Sequence, residues 1–417
     1  LNIAMLSYHT CPLATLGGKD TGGMNVYVAE LTRHLGQMGI HVDVFTRSQD
    51  EHVPHVVHSL GYGNRVVHIP AGPEHPLPKK VLAEYIPTFA DEVNRFAREK
   101  HIQYDLIHSH YWMSGIAAQA LKDKWHVPVI QMFHTLGLMK NQIAQSPEEI
   151  EGDYRINGEK VVMEVVDRII AATPAEKKQL LTLYHADRKK IITIPPGVET
   201  SRFYPINADE AKEAIELTCK KRMLLFVGRI EPLKGLQNLI RALAIIRSQG
   251  HCRRDCYCLV VIGGDPDSSL ENMSSEMRKI KTLCKELGME DLVLFLGKRA
   301  QDTLPYYYSA ADMLIMPSYY ESFGMVALEA MACGTPVVAS DVGGLHYLVQ
   351  DGKTGFVVPS GNPEALVDPL NELMNNDNLR EKMGQQAARF AQKYSWELIS
   401  AEIAKVYAKL LKHPEKK

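Results

Sequence analysis

Cysteine is scarce in this chain: seven among 417 residues, an odd number, scattered along the length. That excludes a disulfide scaffold and leads to an expectation of reduced thiols in the cytoplasm. Cys252, Cys256 and Cys258 fall close together. No fourth ligand stands at a finger-like spacing, and His251 is adjacent to Cys252, so chance clustering is the better reading than a metal site. Charge of one sign is also missing. The formal net charge is −2, which excludes a broadly basic surface for nucleic acid or anionic lipid. Apolar runs fall short of the ~18 residues that a membrane span needs. Leu1-Asn2-Ile3-Ala4-Met5-Leu6-Ser7 lacks a basic lead and a cleavage site, so it reads as a strand rather than a signal peptide. Short-period repeats and low-complexity tracts are absent. G-x-G-x-x-G is absent too, which counts against a dinucleotide-dependent oxidoreductase.

What the chain has is an ordinary globular composition, 45% hydrophobic and 23% charged, and a regular alternation. Short apolar runs at 3–7, 42–46, 106–109, 129–133 and 169–172 predict buried strands. A second series follows at 223–227, 259–262, 293–296, 313–316 and 336–339. Helical patterns intervene, as at 25–38, 116–124, 237–248 and 276–287. Such alternation predicts α/β architecture, parallel sheets with helices on both faces. Pro195-Pro196-Gly197 cannot continue a strand and suits a linker. The expectation is two doubly wound, Rossmann-like domains, 1–195 and 196–390. Residues 391–417 read as a closing amphipathic helix with a basic tail, expected to cross back to the first domain. Ligands of such sheets bind beyond the strand C-termini, so a cleft faced by both domains is the expected site.

Glu321 and Glu329 stand eight residues apart around a Ser322-Phe323-Gly324 turn that should start a helix. Backbone N–H groups at a helix start suit an anion, and flanking carboxylates can accept from vicinal hydroxyls. Phosphate with diols describes a nucleotide sugar; the bland alternative is a solvated helix face. Thr21-Gly22-Gly23-Met24-Asn25 follows the first strand and opens a helix, a weak phosphate-loop signal that a simple turn would equally explain. Arg229 and Lys234 follow the first strand of the second domain, where two cations suit a diphosphate; surface charge is the competing reading. His110-Tyr111 and His134-Thr135 end two first-domain strands, and the gathering favours a site over a single satisfied core histidine. Lys79, Lys80, Arg155 and Lys160 add positive charge in the same half. Gly263-Gly264-Asp265-Pro266 is turn chemistry, and Asp341-Val342-Gly343-Gly344 is a further cleft candidate.

Together these stretches resemble a retaining glycosyltransferase of family 4 with the two-domain GT-B fold. Gly22-Gly23, Gly228-Arg229 with Lys234, and the E-x7-E element running into Cys333-Gly334-Thr335-Pro336 carry the resemblance, which spans nearly the whole chain. It implies that Gly22 and Gly23 approach the donor phosphate, and that Arg229 and Lys234 hold the diphosphate. Glu329 would bind the ribose hydroxyls and Glu321 would face the transferred sugar, with the Phe323 and Gly324 backbone on its hydroxyls. Lys298 and Arg299 would grip the base, and His134 would lie near the reacting sugar. The first domain is similar to enzymes that glycosylate inositol phosphate in mycothiol synthesis and to sucrose-phosphate synthases acting on fructose 6-phosphate. Lys80, Tyr111, Thr135 and Arg155 match their phosphate pocket, and Asn25 would touch acceptor hydroxyls. The implied donor is a UDP-sugar carrying glucose or N-acetylglucosamine. No cofactor is expected and no metal, with Mg not essential: the reading finds no Asp-x-Asp metal motif ahead of the site, so Arg229 and Lys234 are expected to take the ion's place. Homodimerisation is a further expectation. An unphosphorylated sugar or glycan acceptor and a non-catalytic nucleotide-sugar sensor are the alternatives.

Overall fold

The computed structural model describes residues 1–14, 22–144, 146–216, 222–250, 257–268 and 273–412. Thr21, Cys252 and Cys256 lie outside them. Two compact units are present: 1–14, 22–196 and 396–412 form the first, and 197–395 the second.

The first unit is built on eight strands, β1 (Asn2–Leu6), β2 (His41–Arg47), β3 (Val56–Val57), β4 (Arg65–Ile69), β5 (Leu106–His110), β6 (Val129–Met132), β7 (Arg168–Ala171) and β8 (Ile191–Thr193). Their order is β3-β4-β2-β1-β5-β6-β7-β8, parallel except where β3 meets β4. β1 pairs with β2 on one side and β5 on the other. The order reverses there, and the crevice beyond the strand ends opens at such a point. Ile3, Ala4, Met5 and Leu6 are fully buried; covered on both faces, a strand reads as a continuous apolar run.

Six strands form the second unit: β9 (Arg222–Val227), β10 (Tyr257–Ile262), β11 (Val293–Gly297), β12 (Met313–Met316), β13 (Val337–Ser340) and β14 (Gly355–Val358). All are parallel in the order β11-β10-β9-β12-β13-β14, so the switch lies between β9 and β12. Leu224, Phe226, Leu239, Leu243, Val261 and Ile315 belong to one apolar core there. Burying each contributes roughly 1.5–3 kcal/mol before chain entropy is charged against it.

After Ser395 the chain rejoins the first unit. The helix Trp396–Lys412 packs on the helix Gly23–Gln37, with the rings of Tyr27 and Trp396 5.1 Å apart. Tyr407, from the same closing helix, reaches the sheet and is hydrogen-bonded to His108 Nδ1 of β5 at 2.7 Å. Among the described residues, no helix is long and apolar enough to cross a membrane.

Candidate active site

In the second unit the candidates gather where β9 and β12 end. Beyond β9 the chain passes Gly228 and Arg229, makes one tight helical turn over Pro232–Lys234, and enters the helix Leu236–Ser248 through Gly235. Gly235 has φ +66°, and a Cβ there would lie 2.0 Å from the Pro317 carbonyl oxygen. Only glycine allows this approach. It sets Lys234 against the loop after β12, where Nζ meets Glu321 Oε2 at 2.5 Å. Arg229 pairs instead with Glu231, at 3.0 Å.

The loop carrying Glu321 is held from behind. Gly344 N–H donates to the Glu321 carbonyl at 2.9 Å. Gly343, at φ +49°, approaches that carbonyl so closely that a Cβ would sit 1.9 Å from it. Asp341-Val342-Gly343-Gly344 thus supports the glutamate loop with its backbone. Gly324, in the left-handed region, then starts the helix Met325–Ala332, which no side chain caps. Phe323 is buried. Glu329 lies inside this helix, also buried, and its Oε2 accepts from Tyr308 O–H at 2.8 Å. Burial first, then the Glu329 carboxylate, pushes the Tyr308 phenol well above its ordinary range, so it remains a donor. Lys298 is exposed and 3.4 Å from Asp265, whereas Arg299 donates to Tyr307 at 3.0 Å. Asp265-Pro266-Asp267 has the Asp-x-Asp spacing. It precedes the glutamate loop, so the expectation that no Asp-x-Asp motif lies ahead of the site does not hold.

In the first unit, Gly22 precedes the helix Gly23–Gln37, which no side chain caps. Asn25 is buried and committed internally. Its Oδ1 accepts from Gly22 N–H at 2.9 Å, and Nδ2 donates to Thr10 Oγ1 at 2.8 Å and the Cys11 carbonyl at 2.7 Å. Both amide hydrogens are used, so Asn25 shapes the glycine loop and has no N–H left for an acceptor.

At the end of β5, Tyr111 adopts φ +71°, a costly conformation that packing must hold. The ammonium of Lys79 lies 5.7 Å from its ring centroid and the guanidinium of Arg155 5.1 Å. Burial pushes the Tyr111 phenol up to about 12, with Arg155 opposing. The lysine at this ring is therefore Lys79. Lys80, singled out from the sequence, is exposed, as is Lys160.

Arg155 is buried at 2% exposure, yet richly bonded. Nε meets Glu159 at 2.8 Å and Nη1 meets Glu151 at 2.6 Å. Nη2 donates to the Thr135 carbonyl at 3.1 Å and to its Oγ1 at 3.0 Å. Glu159, fully buried, also accepts from Gly137 N–H at 3.0 Å and from Tyr184 O–H. Burial works against the Arg155 charge, but Tyr111, Glu159 and Glu151 outweigh it and raise its pKa. Removing one member of such a buried pair costs about 3–5 kcal/mol. These carboxylate partners, remote from any sequence motif, were not anticipated.

His134 stands at φ +62° after β6, and its Nε2 is hydrogen-bonded to His110 Nδ1 at 3.0 Å. Period two places His108 and His110 on one face of β5, with ring centroids 4.4 Å apart. That alternation could have exposed the pair, but the sequence reading singled out only His110. Burial pushes His134 and His108 down to about 3 and His110 in the same direction, so all three are neutral near pH 7. His108 Nε2, His110 Nε2 and the Tyr27 hydroxyl are buried without a partner.

Two family descriptions match the chain: Glycosyltransferase Family 4 over residues 21–202 and Glycosyl transferases group 1 over residues 207–390. The chain belongs to the family 4, group 1 glycosyltransferases, and its two parallel-sheet units are those of the GT-B fold. It is 40% identical to D-inositol 3-phosphate glycosyltransferase 2 of Catenulispora acidiphila, covering 98% of this chain and 94% of that one. With D-inositol 3-phosphate glycosyltransferase of Kineococcus radiotolerans the identity is 39%, over 97% and 94%. Among solved structures, sucrose-phosphate synthase from Thermosynechococcus elongatus superposes with a TM-score of 0.89 at 32% identity, covering 99% of both chains. Anabaena Alr3699/HepE, solved with UDP and glucose, shares the fold at a TM-score of 0.75 and 20% identity, over 98% of this chain and 100% of that one.

Proposed function

We propose that this glycosyltransferase moves a hexosyl group, glucose or N-acetylglucosamine, from a UDP-sugar to D-inositol 3-phosphate, retaining the anomeric configuration. The observation that carries the acceptor class is the cluster at the ends of β5 and β6. There Arg155 and Lys79 lie by the Tyr111 ring, and Arg155 reaches Thr135 Oγ1. Planar guanidinium, ammonium and hydroxyl are the donors a phosphate monoester takes. The names of the relatives favour inositol phosphate within that class. Fructose 6-phosphate is the second reading, favoured by the likeness to sucrose-phosphate synthase.

In this reading the second unit takes the donor. Glu329, oriented by Tyr308, accepts from the ribose hydroxyls; Lys298 and Arg299 flank the base; Glu321 and the Phe323–Gly324 backbone bind the sugar. The acceptor hydroxyl oxygen bonds to the anomeric carbon as the bond to the diphosphate breaks. UDP departs with the electron pair, and the hydroxyl proton passes to the departing phosphate oxygen on the same face. Arg229 and Lys234 stabilise the charge that develops, an effect worth ~10²–10³ in rate per donor. No cofactor or Mg is needed in this scheme because the cations are built in. His134, neutral near pH 7, can hydrogen-bond a sugar hydroxyl. The test is a matrix of UDP-glucose, UDP-N-acetylglucosamine, ADP-glucose and GDP-mannose against inositol phosphate and fructose 6-phosphate. Products are read by mass and by anomeric NMR coupling. Product from neither phosphorylated acceptor, with turnover of an unphosphorylated sugar, refutes the reading.

A further inference from the structure

The anion pocket of the first unit is already filled by an anion of its own. Glu151 lies just before the helix Asp153–Val165, and its Oε1 accepts from both Lys140 and Arg155 Nη1. One carboxylate oxygen bridging two cations is the arrangement a phosphate oxygen would make. The two acidic partners of Arg155 differ in kind. Glu159 is 0% exposed and tied to three donors, Gly137 N–H, Arg155 Nε and Tyr184 O–H, so it is a fixed counter-charge. Glu151 keeps 20% of its side chain exposed. Its backbone is anchored separately: Asn141 Oδ1 accepts from Glu151 N–H at 2.7 Å, and Asn141 Nδ2 donates to its carbonyl at 3.0 Å. The side chain can swing away while the loop stays in place.

The cations around Glu151 act together: Lys140 and Arg155 contact it, and Lys79 acts on it electrostatically. Burial alone would raise the Glu151 carboxyl, but Arg155, Lys140 and Lys79 together hold it below the usual range, so it is ionised near neutral pH.

We propose that Glu151 is a specificity-determining stand-in for the acceptor phosphate, a tethered carboxylate that only a dianion displaces from Arg155 and Lys140. The inference rests on the phosphate-pocket reading above and adds a competitor to it. A neutral sugar offers no charge to replace the carboxylate, so the pocket stays closed to it. A phosphate monoester supplies more charge and more oxygens and takes the site. Glu151 thereby lowers affinity for every anion and raises the premium on a second negative charge.

The test is calorimetric binding of inorganic phosphate and of D-inositol 3-phosphate to wild type, Glu151→Gln and Arg155→Ala. Gln keeps the size and leaves the Asn141 anchor untouched. Glu151→Gln is expected to bind both ligands about tenfold more tightly, the worth of one charge-assisted hydrogen bond no longer competed for. Unchanged or weaker binding by Glu151→Gln, with Arg155→Ala strongly impaired, overturns the stand-in role and leaves the pocket intact. Unchanged binding by Arg155→Ala overturns the pocket itself. Glu151→Ser provides a second variant should the glutamine form fail to fold, with the same expected direction.

Discussion

Acid should weaken the first unit through the histidines beneath the closing helix. His108 is fully buried, shares a hydrogen bond with Tyr407 and is pushed down to about 3. Its unfolded value is ~6.5. A folded pKa below the unfolded one leaves the native state poorer in protons. Its contribution is therefore whole above about pH 6.5 and is lost as pH falls from there toward 3. At pH 4.5 the loss for His108 alone is about 2.7 kcal/mol, two pH units at 1.36 kcal/mol each. His110 and His134 act in the same direction. Glu176, which burial pushes up to about 7, runs the opposite way and offsets part of this. A difference between variants removes that term. In His108→Asn the amide can keep the Tyr407 hydrogen bond without titrating. All three tryptophans, Trp112, Trp125 and Trp396, lie in the first unit, so tryptophan fluorescence in urea reports on it selectively. Between pH 7 and pH 4.5 the wild type should lose about 2.7 kcal/mol more than His108→Asn. Equal losses in the two proteins would refute the assignment of His108 as a buried neutral base.

Other outcomes follow from the site. Lys79→Ala should raise KM for a phosphorylated acceptor by about tenfold, the value of one charge-assisted contact, whereas Lys80→Ala should leave it within about twofold; steady-state kinetics decides, and the reverse order contradicts the geometry. Lys234→Ala should lower kcat/KM by ~10²–10³, with circular dichroism unaltered. Tyr308→Phe leaves the buried Glu329 carboxylate one donor short, so thermal stability should fall by about 1–3 kcal/mol and UDP should bind more weakly by titration calorimetry. Retention of full UDP affinity would show that Tyr308 does not orient Glu329 for the ribose.

Much of the fold was legible because parallel strands buried on both faces leave uninterrupted apolar runs. β1, β9, β10 and β12 each produced one. β4 did not stand out: Arg65 and His68 interrupt it, yet Arg65 is held to Asp43 by two hydrogen bonds of 2.7 Å and His68 contacts the Pro54 carbonyl at 3.0 Å. β3 and β8 are two and three residues long, too short for a period to register. At the site, glycines and cations declared themselves by their position after strands. Their partners did not. Glu151 and Glu159 reach Arg155 from positions i−4 and i+4 on and beside one helix, a spacing that usually marks surface pairs. The choice between Lys79 and Lys80 depended on which side chain a single short turn aims at Tyr111. The commitment of Asn25 to Thr10 and Cys11 required the folded loop.

The central claim is that a phosphate on the acceptor directs glycosyl transfer. It is tested most directly by kcat/KM for D-inositol 3-phosphate against unphosphorylated inositol, with a saturating UDP-sugar. Two or three charge-assisted hydrogen bonds predict a preference of about 10³-fold or more for the phosphorylated acceptor. Equal values for the two acceptors would contradict it.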